Sequence, residues 1–288
     1  MPFHGVLPQR ASIFRPQPKR DVGVNDAHAW RLNPAYRQVY DKLWITREQG
    51  IPAAPVGVDP RDLGLEPDER VFVKPIINLH GVSLGACTAP VNDIPIQAGC
   101  FWSPLLTGVH TSSDCLVRDG KVLWFAHARG SQVRHNHRNL YWEIGVPLPE
   151  RQPRLMERVA QWLPGYTGLC NLEMIGDTVI EVHLRGSNGF FDFYGPDFIH
   201  AWVTLVDEGD WSDPGPIPGG CVLSLFGTGR LPQKAVDQAR ATGVEIQHDD
   251  HTPGRIALLR CRDKTLGVSA LEYLREAVIT ESGHRENP

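Results

Sequence analysis

A chain of 288 residues can build one large domain or two ordinary ones with real cores. Its 41% hydrophobic and 22% charged residues are those of an ordinary globular protein. A formal net charge of −4 and the lack of a basic patch interleaved with aromatics argue against a nucleic-acid partner, and no apolar run approaches the roughly 20 residues of a membrane span.

The N-terminus carries Arg10, Arg15, Lys19 and Arg20 without an apolar stretch, so it does not read as a secretory signal and a cytoplasmic protein is expected. Its prolines and missing periodicity make residues 1–30 an irregular arm expected on the surface. Over 34–50, Tyr36, Val39, Tyr40, Leu43 and Trp44 form a helical stripe ended by Gly50. Pro52, Pro55 and Pro60 stiffen the connector that follows. The six cysteines (Cys87, Cys100, Cys115, Cys170, Cys221 and Cys261) are scattered, with no C-x-x-C pair. That spacing argues against a zinc ribbon and for buried free thiols in a reducing compartment.

From residue 71 the texture becomes strand-like. Val71-Phe-Val-Lys-Pro is a short strand stopped by Pro75, and Asn78-Leu-His-Gly-Val-Ser-Leu-Gly85 is a polar, glycine-bearing loop. Lys74 in an apolar strand needs an anionic partner, which a triphosphate can supply, and a loop with Gly81, Ser83 and Gly85 can fold backbone N–H groups over phosphates. A snorkelling lysine before an ordinary turn is the alternative. Residues 113–118 and 121–129 are strands joined by the hairpin dipeptide Asp119-Gly120, with His110 and Asp114 near the base of the hairpin. His127, His135 and His137, with Arg129, Arg134 and Arg138, make a basic, imidazole-rich stretch. It reads as a solvated loop, an anionic-substrate contact or a transition-metal site.

A helix is expected over 153–163, then strands over 169–175 and 178–184. In Val179-Ile-Glu-Val-His-Leu-Arg185, Glu181, His183 and Arg185 alternate with Ile180, Val182 and Leu184, so period 2 puts the polar three on one face. Asn171 and Glu173 share a face in the preceding strand. Glu173 and Glu181 are eight residues apart and meet only across an odd-length connection. A three-residue loop Gly176-Asp177-Thr178 pairs them; a two-residue loop separates them. Two carboxylates that close call for a cation, and hard oxygen ligands favour Mg²⁺. A helix over 197–206, a linker over 212–220, and a strand, helix, strand, strand tail (221–226, 232–242, 244–247, 256–260) complete the chain.

Taken in order, these segments resemble the ATP-grasp superfamily: a strand lysine followed by proline and a glycine loop, a hinge segment, and a strand pair with two acids and an arginine. The resemblance covers about residues 70–205. It implies an α/β (α+β) two-lobe fold with ATP between two mainly antiparallel sheets, plus a small C-terminal βαβ-like lobe. The division expected is 1–69 as N-terminal arm and reduced pre-ATP-grasp region, 70–211 as nucleotide-binding core and 221–288 as the C-terminal lobe.

By the same resemblance Lys74, Asn78, His80, Gly81, Ser83 and Gly85, with Trp102, Ser103, Leu105 and His110 of the hinge, would hold ATP. Glu173, Glu181 and His183 would hold Mg²⁺, and Lys74 and Arg185 would be catalytic. His110 stands where the family often has an acid that contacts ribose, and His183 replaces an asparagine. The implied activity is an ATP- and Mg²⁺-dependent ligase that activates a small-molecule carboxylate as an acyl-phosphate for attack by an amine or similar nucleophile. A homodimer fits compact ligases of this kind. A non-catalytic ATP-binding module of a larger assembly and a His-based metalloprotein are the alternatives.

Overall fold

Two antiparallel sheets supply the walls of one cavity, and local turn chemistry explains how each is closed. The computed structural model describes residues 2–81, 83–249 and 252–280, so Val82 of the glycine loop and the end of the expected 221–288 lobe lie outside the described residues. The small sheet has strands β1 (Ala54–Pro55), β2 (Arg70–Pro75), β3 (Cys87–Pro90) and β4 (Cys100–Pro104) in the order β1-β4-β2-β3. Val71, Val73, Ala89 and Trp102 pack one of its faces.

The large sheet has eight strands: β5 (His110–Arg118), β6 (Lys121–Gly130), β7 (Tyr141–Ile144), β8 (Gly168–Ile175), β9 (Thr178–His183), β10 (Gly220–Phe226), β11 (Glu245–His248) and β12 (Arg255–Cys261). Their order is β9-β8-β5-β6-β7-β10-β12-β11, so the C-terminal strands continue the sheet that the central hairpins begin. Asp119 and Gly120 turn β5 into β6 with φ of 51° and 76°, the left-handed pair that a two-residue hairpin requires. A Cβ at Gly120 would also sit 3.0 Å from Leu163 O.

Helices cover both faces. Helix α1 (Asp26–Leu32) and α2 (Lys42–Glu48) come from the N-terminal region, and α3 (Gln152–Trp162) packs Leu155 and Val159 against Cys115, Val117 and Cys170. Helix α4 (Phe198–Glu208) lays Phe198 and Trp202 on the opposite face, beside Leu116 and Ala126. Helix α5 (Gln233–Arg240) packs on β11 and on α6 (Lys264–Ala277), which covers β10 and β12; α6, capped by Asp263, is an element the sequence pattern did not disclose.

Two expectations need correction. Residues 1–30 are not a surface arm: Phe3 and Phe14 are buried, with their rings 5.0 Å from Trp202 and 5.7 Å from Phe191 respectively. Burying each phenylalanine contributes about 1.5–3 kcal/mol, which outweighs the weak local propensity of a proline-rich segment. The 34–50 stripe is also not one helix. A 3₁₀ turn over Pro34–Tyr40 ends at Asp41, whose side chain accepts from Trp44 N and starts α2. That cap places Lys42 at a helix start, 5% exposed.

Candidate active site

The strand pair β8–β9 positions the acids, by a route the sequence pattern did not foresee. Ile175 pairs with Thr178, so the connection is the two-residue turn Gly176-Asp177 and not a three-residue loop. By itself that turn would put Glu173 and Glu181 on opposite faces. A bulge between Glu173 and Met174 restores the register: Met174 pairs with Val179, Glu173 with Glu181, and Ile180 is the extra residue. Its carbonyl is left out of the ladder and accepts a hydrogen bond from Lys74 Nζ at 3.0 Å. One irregularity thus aligns the acids and docks the small-sheet lysine on the large sheet.

The charges here are paired. Lys42 Nζ lies 3.0 Å from Glu181 Oε1, and His183 Nε2 lies 3.4 Å from Glu181 Oε2 without forming a hydrogen bond. Asp26 meets His183 Nδ1 at 2.9 Å and Arg185 Nη2 at 2.7 Å. Glu173 meets His110 Nε2 at 3.0 Å, and Asn139 Nδ2, 2.8 Å from His110 Nδ1, orients that ring.

Titration follows from these contacts. Burial works to raise Asp26, but Arg185 and His183 outweigh it and hold the carboxyl well below its usual range. Burial likewise opposes ionisation of Glu181, and Lys42 with His183 and Lys74 keeps it far below the usual value. Glu173 is lowered, its burial overcome by His110. For His183 burial and Arg185 disfavour the charge, yet Asp26 and Glu181 raise it to about 9. Burial pushes Lys74 down to about 8, with Glu181 opposing the fall.

The cavity between the sheets measures about 260 Å³ and brings together Lys74, Gly81, Ser83, Ser103, Leu105, His110, Glu173, Glu181, His183 and Arg185 of the residues expected from the sequence. Four others are not in its wall. Trp102 is fully buried in the small-sheet core, its Nε1 donating to Val58 O, because β4 turns alternate residues away from the cavity and Ser103 into it. Asn78 caps its own loop, donating to Gly81 O and accepting from His80 N, so Asn78 and His80 shape the turn from outside the wall. Gly85 closes that loop near Pro75.

Asp26 and Lys42 went unread in the sequence, and they stand behind the wall as partners of the residues that line it. The available signals were local: Asn25 capping α1 beside Asp26, and Asp41-Lys42 opening α2.

The histidine-rich stretch splits up. His127 points to the other face of the large sheet, where Ser113 Oγ lies 2.8 Å from its Nδ1. His135 stacks on Phe226, and His137 meets Phe72 at 5.2 Å and lines the cavity with Arg134 and Arg138. Among the described residues, the group of His, Cys, Asp or Glu side chains that could hold a metal is Glu173, Glu181 and His183, with ligand atoms within 4.8 Å of one another.

A lysine-bearing small sheet closing over an acid-bearing antiparallel sheet defines a two-lobed α/β protein with its cavity between the lobes. The chain has the ATP-grasp fold. It is similar to an L-amino acid ligase from Bacillus licheniformis, at 13% identity and a TM-score of 0.59, over 89% of this chain and 77% of that one. A carboxyaminoimidazole ribonucleotide synthase from Aspergillus clavatus complexed with ATP gives 12% identity and 0.61, over 84% and 75%. N5-carboxyaminoimidazole ribonucleotide synthetase from Thermus thermophilus gives 16% and 0.59, over 90% and 80%. No protein-family model matches the sequence, and no curated protein matches it. Among the described residues no helix is long and apolar enough to cross a membrane.

Proposed function

We propose that this chain is an ATP- and Mg²⁺-dependent ligase that activates a small-molecule carboxylate as an acyl-phosphate and passes it to an amine or similar nucleophile. The observation that carries this reading is the meeting of Lys74 from the small sheet with Glu173, Glu181 and Arg185 from the large sheet in one cavity. The named structural neighbours are ligases or synthetases, one of them complexed with ATP, which supports the same reading.

The donor set fits Mg²⁺. Two carboxylates offer hard oxygen ligands, and His183, raised to about 9 and so charged near neutral pH, stands beside Glu181 and would ligate through Nε2 only after giving up its proton. When bound, the cation would offset charge on phosphate oxygens. The chain's own residues do the rest. Lys74 binds a phosphate oxygen with its ammonium, Gly81 and Ser83 stand over the phosphates, and Arg185, held by Asp26, neutralises charge that develops on the transferring group. Lys42 holds Glu181 in place. Leu105, Ile175 and Ile180 give the cavity an apolar wall for the base.

In this reading residues 70–211 carry the nucleotide site, 1–69 supply the buttress, and Ser224, Phe226 and Arg255 of the C-terminal region complete the far wall.

A second reading, a non-catalytic ATP-binding module, is favoured by one contact pattern: both oxygens of Glu181 already face a cation, Lys42 at 3.0 Å and His183 at 3.4 Å. Calorimetry with a non-hydrolysable ATP analogue and Mg²⁺ tests both. Wild type should bind, and Lys74→Ala should weaken binding by about 10- to 100-fold. ADP release that requires both an acid and an amine supports the ligase, and binding without turnover across acids and amines selects the module. A wild type that binds no analogue sinks both.

A further inference from the structure

The cavity has a second end, and its electrostatics are the reverse of the first. A short hairpin pairs Arg134 with Asn139 and His135 with Arg138. It turns through Asn136 and His137, whose φ values of 48° and 66° put two non-glycine residues in the left-handed region. The hairpin presents Arg134 and Arg138 to the cavity, and Arg255 reaches it from β12. Trp142 and Phe226 line the same end.

At the Lys74 end Lys42, His110, His183 and Arg185 each meet a carboxylate, and Lys74 itself donates to Ile180 O. Here Asp249 is the carboxylate among the described residues, and Arg255 Nε already holds it at 2.5 Å, with Nη2 on Thr252 Oγ1. Arg138 lies over Phe226 at 5.3 Å and gives Nη1 to Pro253 O, but its Nε is buried without a hydrogen bond. The Arg134 guanidinium makes no side-chain hydrogen bond or ion pair with the described residues. Burial lowers both Arg134 and Arg138, and the nearby Arg255 lowers Arg138 further, as expected where positive charges gather without compensation. A buried guanidinium donor left unsatisfied is costly, and its planar fork of N–H groups matches the oxygens of a carboxylate or phosphate.

We propose that Arg134 and Arg138, backed by Arg255, bind a second anionic group of the acid substrate, so that the substrate carries one carboxylate for activation near Lys74 and Arg185 and another oxyanion at the hairpin end. This rests on the ligase reading for the first carboxylate only. Trp142 and Phe226 suit an apolar or planar segment between the two charges.

The test is calorimetry on the full chain with glutarate, phosphonobutyrate and pentanoate as probes. Both dianions should bind about tenfold or more tightly than the monoanion, and the tighter of the two tells whether a carboxylate or a phosphate-type group is preferred. In the double variant Arg134→Gln/Arg138→Gln the preference should vanish while affinity for the ATP analogue stays within about twofold. Arg134→Gln alone should cut the preference several-fold, and a thermal melt verifies that each variant is folded. Equal binding of mono- and dianions, a preference that survives in the folded double variant, or no probe binding at about 10 mM overturns the proposal. Loss of analogue binding in wild type with the dianion preference intact would instead sink the nucleotide reading alone.

Discussion

The strand pair β8–β9 and the N-terminal segment supply matching halves of the ion pairs at the same site by different physics. Glu173, Glu181 and His183 share a face because of strand period and one bulge, a matter settled within about a dozen residues of chain. Asp26 reaches His183 across 157 residues of sequence, and Lys42 reaches Glu181 because Asp41 starts a helix at the right place. The difference shows what each part requires of the other. A strand face bearing buried carboxylates, a histidine and an arginine is untenable without counter-charges, and only tertiary packing brings them. Phe3 and Phe14, buried beside Trp202 and Phe191, anchor the segment that delivers Asp26.

The largest expected effect comes from breaking that delivery. Asp26→Ala leaves His183 and Arg185, both inside the site, as cations without their shared carboxylate. Removing one partner of a buried pair costs about 3–5 kcal/mol, which urea unfolding near neutral pH would read. The sign of the pH dependence gives a second check. Asp26 is held well below its ordinary 3.8, so its contribution is present above that value and is lost as pH falls through the folded value. The variant should therefore lose part of the acid destabilisation of the wild type. Wild-type stability in Asp26→Ala would show that the N-terminal segment is not the electrostatic complement of the strand pair.

The same comparison explains what was legible in the sequence. Lys74-Pro75, the loop after it and the alternating run Glu181-Val-His-Leu-Arg185 are local patterns, and they disclosed the fold class and a minor part of the cavity wall. Face alternation alone did not place Trp102, because which face of β4 looks inward depends on the packing of the small sheet. The bulge at Ile180 left no mark in the period: a two-residue turn with an extra residue and a three-residue turn give Glu181 the same partner. Asp26 and Lys42 were illegible for a stronger reason. Each looks like an ordinary first-turn residue of a short helix, and its role exists only once α1 and α2 dock on β9.

A smaller effect would sharpen the comparison from the side of the small sheet. Burial lowers Lys74 from 10.5 to about 8, so the free protein loses this ammonium as pH rises through about 8. Phosphate groups favour the charged lysine, so affinity for the ATP analogue should fall above that pH, by up to about tenfold per unit. Stability moves the other way. The folded value lies below the unfolded one, so the unfolded chain binds more protons between the two and this group's term favours folding as pH rises. Calorimetry over roughly pH 6 to pH 10 reads the first effect, and Lys74→Met should remove it. His183, raised to about 9, would leave a separate, higher step in that variant. An affinity that is flat through pH 8 in the wild type would mean that the Lys74 ammonium does not meet the phosphates.

The smallest effect belongs to His127, which shares the sheet with the acids but faces away from them. It pairs with Ser113 on β5, while Ser112, next along, pairs with Glu173. Adjacent strand residues point to opposite faces, so the strand that supports the site also walls His127 off from it. Burial lowers this imidazole to about 4, which leaves it neutral as it bonds Ser113 Oγ at 2.8 Å. His127→Gln should keep affinity for the ATP analogue within about twofold and cost about 1 kcal/mol of stability from the lost hydrogen bond. Metal analysis of purified wild type and variant gives the sharper reading. Stoichiometric zinc or iron that disappears with His127 would place a ligand set on the far face and overturn the division of the sheet into a chemical face and a packing face. Unchanged metal content alongside unchanged nucleotide affinity would mean that the histidine-rich stretch acts through its cavity-facing residues, Arg134, His137 and Arg138, and that His127 serves the core.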